Sequence, residues 1–433
     1  MIPLRGLAVI LTFVAGPALA QEFTTLKGHG GPIMGLSVAP GGQVATASFD
    51  NSVGVWDGLA PTWLDGHDAA VVVVNFDNAP LLYSGGDDFR VLEWHPDGSA
   101  KEITRHLGKV SDIDILPAET VIASAGWDGF IQVTWPHMDH HITETLRGHQ
   151  SNVTSVELIS DTQLYSASSD GTIRHWQRDD TQWQSRVVVK HGFGINEMIV
   201  TDDWIAYGAV DGGTRVIDRE SGQQIKDFTL DRRPILAMAW HGATGQLAAG
   251  DGQGYIMMID TTSWRITRDF RATRRGPVWA LAFSPDGKTI YAGGLDDVAY
   301  AWPVAYLDEF DPAIDGNRSF LRDAATMSNG ERQFMRKCSI CHALTPGPSR
   351  KAGPTLHRVF GRAAGTVPGY PYSPILVGSD IIWNETSIDA LFDEGPDHFI
   401  PGSKMPMQVI REAGDRADLI TFLKTATKQE ADQ

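Results

Sequence analysis

Residues 164–176 read LYSASSDGTIRHW, and they are the clearest copy of a pattern that recurs about every 41 residues between Phe23 and Val304. Each copy has a turn built around an acidic or amide residue, followed by a large apolar residue. The turn aspartates are Asp50, Asp88, Asp128, Asp170, Asp211 and Asp296. The closing apolar residues are Trp56, Trp94, Trp135, Trp176, Ile217, Ile259 and Trp302. Histidines precede five of the aspartates by 20–22 residues, at His29, His67, His106, His149 and His191.

Each repeat also contains short runs rich in β-branched and aromatic residues, such as 71–76 and 154–158, which are separated by Gly, Asp and Pro turns. This organisation resembles the WD40 family, whose repeats fold as blades of four strands arranged around a ring. We therefore predict an all-β seven-bladed WD40 propeller over residues 21–304. Residues 23–27 are expected to complete the last blade, which would close the ring and leave no free sheet edge.

Three departures from the repeat are visible. Gln253 stands where the sixth copy should have its aspartate, and the last two copies lack the histidine. The third copy has one extra residue between Asp128 and Trp135, which we interpret as a β-bulge. Resemblance to the WD40 family implies that the recurring histidines and aspartates form a structural hydrogen-bond network within each blade.

A cluster in the connection between the third and fourth repeats does not fit the pattern. It reads His137-Met138-Asp139-His140-His141. Imidazole and thioether groups can hold copper or zinc, whereas polar loops with no ligand have similar compositions. Both interpretations of His137, His140 and His141 stay open.

The first 20 residues have the organisation of a secretory signal peptide. Arg5 supplies a short positive region, an apolar run from Leu7 to Val14 follows, and Ala18-Leu19-Ala20 forms a small-x-small cleavage site. The apolar run is shorter than the ~20 residues that a membrane-spanning helix needs. We therefore expect export and a soluble protein in a bacterial periplasm, with no membrane span.

Composition bounds the remaining possibilities. The 433 residues exceed what one hydrophobic core usually organises and predict two or three domains. A net charge of −17 argues against nucleic acids and anionic membrane surfaces as partners. An acidic, proline-containing stretch at 305–317 marks the end of the repeats, and we place the second domain at 318–433.

The second domain contains the only two cysteines of the chain, in Cys338-Ser339-Ile340-Cys341-His342. C-x-x-C-H is the attachment sequence of c-type haem. One helical turn brings both thiols to the same porphyrin edge, and the histidine then reaches the iron. A zinc site would need further soft ligands nearby, and a redox C-x-x-C pair would need a βαβ setting; neither is visible.

Several further motifs resemble the class I cytochromes c of the mitochondrial and c2 type, which are all-α. They are GERQF from Gly330, GPTLH from Gly353, PGSKM from Pro401 and a helical segment from Arg416 to Lys424. The resemblance implies one covalent haem c on Cys338 and Cys341. It also implies that His342 and Met405 are the axial iron ligands, with Met407 as the rival of Met405.

The same resemblance assigns haem-propionate contacts or packing to Arg362, Tyr372 and Trp383, although the polar Asn expected after the tyrosine is missing. Residues 331–362 carry seven Lys and Arg against one acidic residue, so this side could steer an acidic redox partner. We expect an electron carrier rather than an enzyme, with the propeller as a protein-docking platform. An intramolecular contact between the two domains is a further expectation.

Two other functions stay open. The protein could be an oxidoreductase with a second cofactor in the propeller. Alternatively, it could be a redox-sensing scaffold or assembly factor.

Overall fold

The computed structural model describes residues 23–77, 81–116, 121–136, 141–180, 182–229, 234–307, 327–347, 350–405 and 407–428. Its described residues contain 28 strands in seven four-stranded antiparallel sheets, followed by helices. This confirms the predicted seven-bladed propeller. The predicted signal peptide, most of the 305–317 segment, and His137 and His140 lie outside the described residues.

The blades follow one another along the chain, and in six of the seven sheets the strands pair in sequence order. Blade 1 consists of β2 (Ile33–Val38), β3 (Val44–Ser48), β4 (Ser52–Asp57) and β5 (Ala60–Asp65). Blade 2 consists of β6 (Val71–Phe76), β7 (Leu82–Gly86), β8 (Arg90–Trp94) and β9 (Ala100–Arg105). Blade 3 consists of β10 (Val110–Leu116), β11 (Val121–Gly126), β12 (Phe130–Pro136) and β13 (His141–Arg147). Blade 4 consists of β14 (Val153–Ser160), β15 (Gln163–Ser168), β16 (Thr172–Arg178) and β17 (Trp183–Lys190).

The last three blades close the ring. Blade 5 consists of β18 (Ile195–Val200), β19 (Trp204–Ala209), β20 (Thr214–Asp218) and β21 (Gln224–Asp227). Blade 6 consists of β22 (Ile235–His241), β23 (Gln246–Asp251), β24 (Tyr255–Asp260) and β25 (Arg265–Arg271). Blade 7 consists of β26 (Val278–Phe283), β27 (Thr289–Gly294), β28 (Val298–Pro303) and β1 (Thr24–Lys27). Because β1 pairs antiparallel with β28, the first strand completes the last blade as the sequence predicts.

The recurring polar residues form the hydrogen-bond network that was expected from the repeat. In blade 1 the Trp56 indole N–H donates to Thr46 Oγ1 at 2.8 Å, and this oxygen lies 2.7 Å from Nε2 of His29. The other ring nitrogen of His29 donates to Asp50 at 2.9 Å. Equivalent chains run through His67, Ser84, Asp88 and Trp94, and through His149, Ser166, Asp170 and Trp176. These histidines are thus part of the framework, because their nitrogens are occupied within each blade.

Blade 3 corrects one prediction. Thr134, not Trp135, pairs with Ile122 at the register position that Trp176 occupies opposite Leu164 in blade 4. The pairing of β12 with both its neighbours shows no register shift, so the predicted bulge between Asp128 and Trp135 is wrong. Trp135 instead packs against the guanidinium of Arg178, 5.2 Å from the ring centroid.

Blade 6 has Gln253 in place of the turn aspartate, and a different residue supplies the carboxylate of its turn. Asp251, at the end of β23, accepts hydrogen bonds from the backbone N–H groups of Gln253 at 2.8 Å and Tyr255 at 3.0 Å. The carboxylate of this turn therefore comes from a residue two positions before the one that the repeat predicts.

After the propeller, the described residues contain four α-helices: α1 (Asn329–Lys337), α2 (Glu385–Glu394), α3 (Pro396–Phe399) and α4 (Ala413–Ala426). Helices α1 and α4 cross closely at Gly330. A Cβ at this position would lie 2.0 Å from the carbonyl oxygen of Asp418. The rings of Phe334 and Phe422 then pack with centroids 5.5 Å apart. None of the described helices is long and apolar enough to cross a membrane.

Candidate haem-binding site

A cavity of about 350 Å³ lies among the carboxy-terminal helices and loops. Its wall brings together Cys338, Cys341, His342 and Met405. The first and last of these residues are 67 positions apart in the sequence. Much of the remaining wall is apolar and comes from several elements, including Leu356, Val359, Ile388, Leu391, Phe392, Ile400 and Leu423. The predicted thioether and axial-ligand residues therefore line one apolar enclosure.

Helix α1 presents the two cysteines and the histidine. It begins after Ser328, whose side chain accepts a hydrogen bond from the Glu331 backbone N–H, and it ends at Lys337 with Cys338 as the C-cap residue. The turn continues beyond that point, because the N–H of His342 donates to the Cys338 carbonyl at 2.9 Å. The tight turn keeps both thiols and the imidazole beside the cavity.

His342 is held by its neighbours in a single orientation. Its Nδ1 lies 2.7 Å from the carbonyl oxygen of Pro354, which can only accept, so Nδ1 carries the proton and Nε2 keeps its lone pair. Gly353 makes this approach possible, because a Cβ there would lie 2.4 Å from the imidazole Cε1. Burial lowers the pKa of His342, which favours the neutral form that binds a metal.

The two cysteines are not joined by a disulfide. Burial raises the pKa of Cys338 to about 12, and it also raises the pKa of Cys341. A raised pKa leaves less thiolate, which is the form that attacks disulfides, so these thiols are poor nucleophiles for disulfide exchange. This chemistry fits thiols reserved for an attached group better than a redox-active pair.

The structure separates the two candidate methionine ligands. Met405 lies in the cavity wall, and its backbone N–H donates to the side chain of Ser403 at 3.1 Å. Met407 is 54% exposed and does not line the cavity. Of the two methionines, only Met405 lines the cavity that His342 also lines.

Arg362, Tyr372 and Trp383 all line the same cavity. The Arg362 guanidinium donates to the carbonyls of His357 at 2.9 Å and Thr355 at 2.8 Å. Burial lowers its pKa, but a guanidinium remains charged at any physiological pH. The cavity wall therefore includes a half-buried cation that two backbone carbonyls hold in place, which suits a neighbouring carboxylate of a bound group.

Sequence reasoning missed Tyr370. Its hydroxyl donates to the carbonyl of Ala352 at 2.5 Å, and its ring packs edge-on against Tyr372 with centroids 4.7 Å apart. Tyr370 also lines the cavity. The only available signal was its position two residues before Tyr372 in a Pro- and Gly-rich loop.

The propeller also contributes to this cavity, which no repeat pattern indicated. Six of its residues lie in the wall: Phe49, Asn51, Asp68, Ala69, Ala70 and Asp87. They belong to turns of blades 1 and 2. The enclosure is therefore shared between the two parts of the chain.

Comparison with known proteins places this site in a family. A cytochrome c from Sesamum indicum is 41% identical over 102 residues, which are 90% of that protein and 23% of this chain. The chain belongs to the cytochrome c family. A cytochrome c from Cochliobolus lunatus is 43% identical over 101 residues, which are 91% of that protein and 23% of this chain. A cytochrome c from Ginkgo biloba is 40% identical over 102 residues, which are 88% of that protein and 23% of this chain. Four segments also match the WD domain, G-beta repeat family: 20–57, 98–134, 141–177 and 264–302.

The residues present fit the haem c that membership of the cytochrome c family implies. Two thiols, one imidazole with a free Nε2 and one thioether line an apolar enclosure, and Arg362 supplies a half-buried cation. In the part of the chain that the structure describes, no three His, Cys, Asp or Glu side chains converge as a metal-binding group. The donor set thus suits an attached porphyrin better than a bare zinc ion.

Proposed function

We propose that this chain is a periplasmic electron-transfer protein with one covalently attached haem c. The observation that supports it best is the single cavity that holds Cys338, Cys341, His342 and Met405. Cytochrome c relatives that align over about 90% of their own length support the same conclusion. Haem, when bound, supplies a one-electron couple between ferric and ferrous iron.

Each residue has a distinct role in this proposal. Cys338 and Cys341 would hold the haem through thioether bonds, and His342 would offer Nε2 to its iron because Pro354 occupies Nδ1. Met405 offers a soft thioether, which stabilises the reduced state relative to harder donors. If His342 and Met405 both bound the iron of the haem, no coordination position would be left for a substrate. Arg362, with Tyr372 and Trp383 beside it, would hold the haem propionates.

We further propose the division of the chain that goes with this role. Residues 1–20 direct export to the periplasm, 21–304 form the propeller, 305–317 join the domains and 318–433 form a class I cytochrome c domain. Export is consistent with the proposed cofactor, because it is attached outside the cytoplasm. The propeller acts as a docking platform, because its turns form a broad and rigid rim.

An optical spectrum of the purified full-length protein, with acid–acetone extraction, tests this proposal. We expect one low-spin haem per chain that stays with the polypeptide after extraction. Extraction of the haem into the organic phase, or a second chromophore, would contradict it. Cys341→Ala should lose most of the attached haem, whereas Ser339→Ala, between the two cysteines, should load normally.

A further inference from the structure

Two ion pairs connect the rim of the haem cavity to the propeller. Arg350 donates to Asp65 at 2.6 Å, and its guanidinium lies 4.1 Å from the ring centroid of Trp63. Lys404, the residue before Met405, lies 3.2 Å from Asp68. Asp68 itself belongs to the cavity wall. The contacts therefore lie at the mouth of the haem site, not at a distant surface.

A close backbone contact accompanies these ion pairs. A Cβ on Gly30 would lie 2.0 Å from the carbonyl oxygen of Arg350 and 2.5 Å from the backbone nitrogen of Lys351. The Gly30 backbone lies outside the left-handed region, so its φ angle does not require glycine. The absence of a side chain at Gly30 thus serves the contact across the domains. We name Gly30, Trp63, Asp65 and Asp68 the propeller docking face.

The charges on the two sides are complementary. Seven Lys and Arg stand against one acid in residues 331–362, and Arg350 and Lys351 belong to this stretch. Lys351 is also close enough to Asp50 and Asp297 for favourable electrostatic interaction. We name Arg350, Lys351 and Lys404 the cationic margin of the haem cavity. The acidic surface that fits this margin is present in the same chain.

We propose that the propeller docking face covers the cationic margin in cis and occupies the surface that an external acidic redox partner would use. This inference rests on the proposed function, since it assumes that the cavity holds the haem. Electron exchange with a protein partner then requires the propeller to move away or the partner to displace it. The propeller acts as a gate on its own cytochrome domain, and an acidic protein surface opens it by competition.

Gly30→Ala tests the backbone contact with a matched control. Gly41→Ala lies in the turn between β2 and β3 of the same blade, and a Cβ there meets nothing within 4 Å. Hydrogen exchange and small-angle scattering on the full-length protein should show faster exchange at 350–356 and a larger radius of gyration for Gly30→Ala alone. Circular dichroism and thermal unfolding verify that the propeller remains folded.

The ion pairs are tested by the double variant Asp65→Asn/Asp68→Asn. Its control is Asp202→Asn/Asp286→Asn, which removes two exposed ion pairs elsewhere in the propeller. Two exposed pairs shift a docking equilibrium by roughly two- to thirtyfold. We expect a neutral hydroquinone to reduce the Asp65→Asn/Asp68→Asn and Gly30→Ala proteins roughly two- to thirtyfold faster than the parent. The parent rate should rise with salt, because screening weakens exposed pairs.

Poly-L-glutamate serves as the acidic probe for the competition itself. It should bind the Gly30→Ala protein more tightly than the parent, because the cationic margin is then uncovered. Equal exchange at 350–356, equal reduction rates and equal probe affinity in parent and docking variants would overturn the inference. The haem spectrum is measured on the same samples, so a normal spectrum with no docking effect contradicts this inference only. Hydrogen exchange also tests docking in protein that lacks haem.

Discussion

Gly330→Ala tests the helix crossing on which the haem site depends. The added Cβ would lie 2.0 Å from the Asp418 carbonyl oxygen and 2.8 Å from the Phe422 Cβ, so α1 and α4 must separate by more than an ångström at this point. Overpacking of this kind costs about 1–3 kcal/mol. Alanine at a helical position returns up to about 1 kcal/mol relative to glycine. With the full alanine gain subtracted, we expect a net loss of up to about 2 kcal/mol in the free energy of unfolding of the carboxy-terminal helical part.

The control is Gly414→Ala. Gly414 is the second residue of α4, as Gly330 is of α1, and a Cβ there meets nothing within 4 Å. Guanidinium unfolding followed by haem absorbance gives the free energy of unfolding for both variants. Gly414→Ala should be unchanged or stabilised by up to about 1 kcal/mol. Because the alanine gain applies to both variants, Gly330→Ala should be less stable than Gly414→Ala by about 1–3 kcal/mol. Equal stability of the two variants would show that the helices do not cross as closely as described.

Two predictions concern the propeller. His149→Ala removes one buried hydrogen-bond partner each from Asp170 and Ser166 and leaves a cavity in their place. It should cost about 1–3 kcal/mol in urea unfolding followed by tryptophan fluorescence, whereas His95→Ala, at a half-exposed side chain, should change the free energy of unfolding by less than about 0.5 kcal/mol. Equal effects would refute the structural role of the histidine. Burial raises the pKa of Asp112 to about 6 and that of Asp114 to about 7, so the folded propeller holds protons that the unfolded chain has released. Its free energy of unfolding should therefore fall as pH rises from about 4 to 7, and Asp112→Asn/Asp114→Asn should flatten this slope; an unchanged slope would contradict the raised pKa values.

The propeller could be predicted from sequence because its determinants are local and repeated. Each blade carries its own turn carboxylate, six of the seven have an apolar closing residue and five have the histidine, so several weak signals reinforce one another. The ring closure by β1 also followed from the sequence, since residues 23–27 would otherwise form a strand without a partner.

Where blades departed from the pattern, residue identity misled the prediction. Trp135 has the side chain that the repeat requires, but strand pairing places Thr134 at that position, and Trp135 finds Arg178 instead. In blade 6 the turn carboxylate comes from Asp251, two residues before Gln253. The backbone register determines which residue occupies each position of the repeat. That register depends on hydrogen bonds between strands, which residue identities alone do not specify.

The residues of the proposed haem site could be identified in the sequence because each lies in a short motif, C-x-x-C-H above all. Tyr370 and the propeller part of the cavity wall were not. The ion pair between Arg350 and Asp65 joins residues 285 positions apart, and only the docking of two domains brings them together. The sequence showed a basic stretch at 331–362 in a chain with a net charge of −17. Such counts do not specify which basic and acidic surfaces contact each other.

The central claim is that one haem iron is bound by His342 and Met405, and a ferric absorption spectrum of Met405→Ala tests it most directly. Met407→Ala is the control, because that side chain is exposed and outside the cavity. We predict that Met405→Ala keeps its covalent haem, loses the methionine–iron charge-transfer band and binds added imidazole, while Met407→Ala matches the parent. If the band persists in Met405→Ala or disappears in Met407→Ala, the assignment of the axial ligand is wrong.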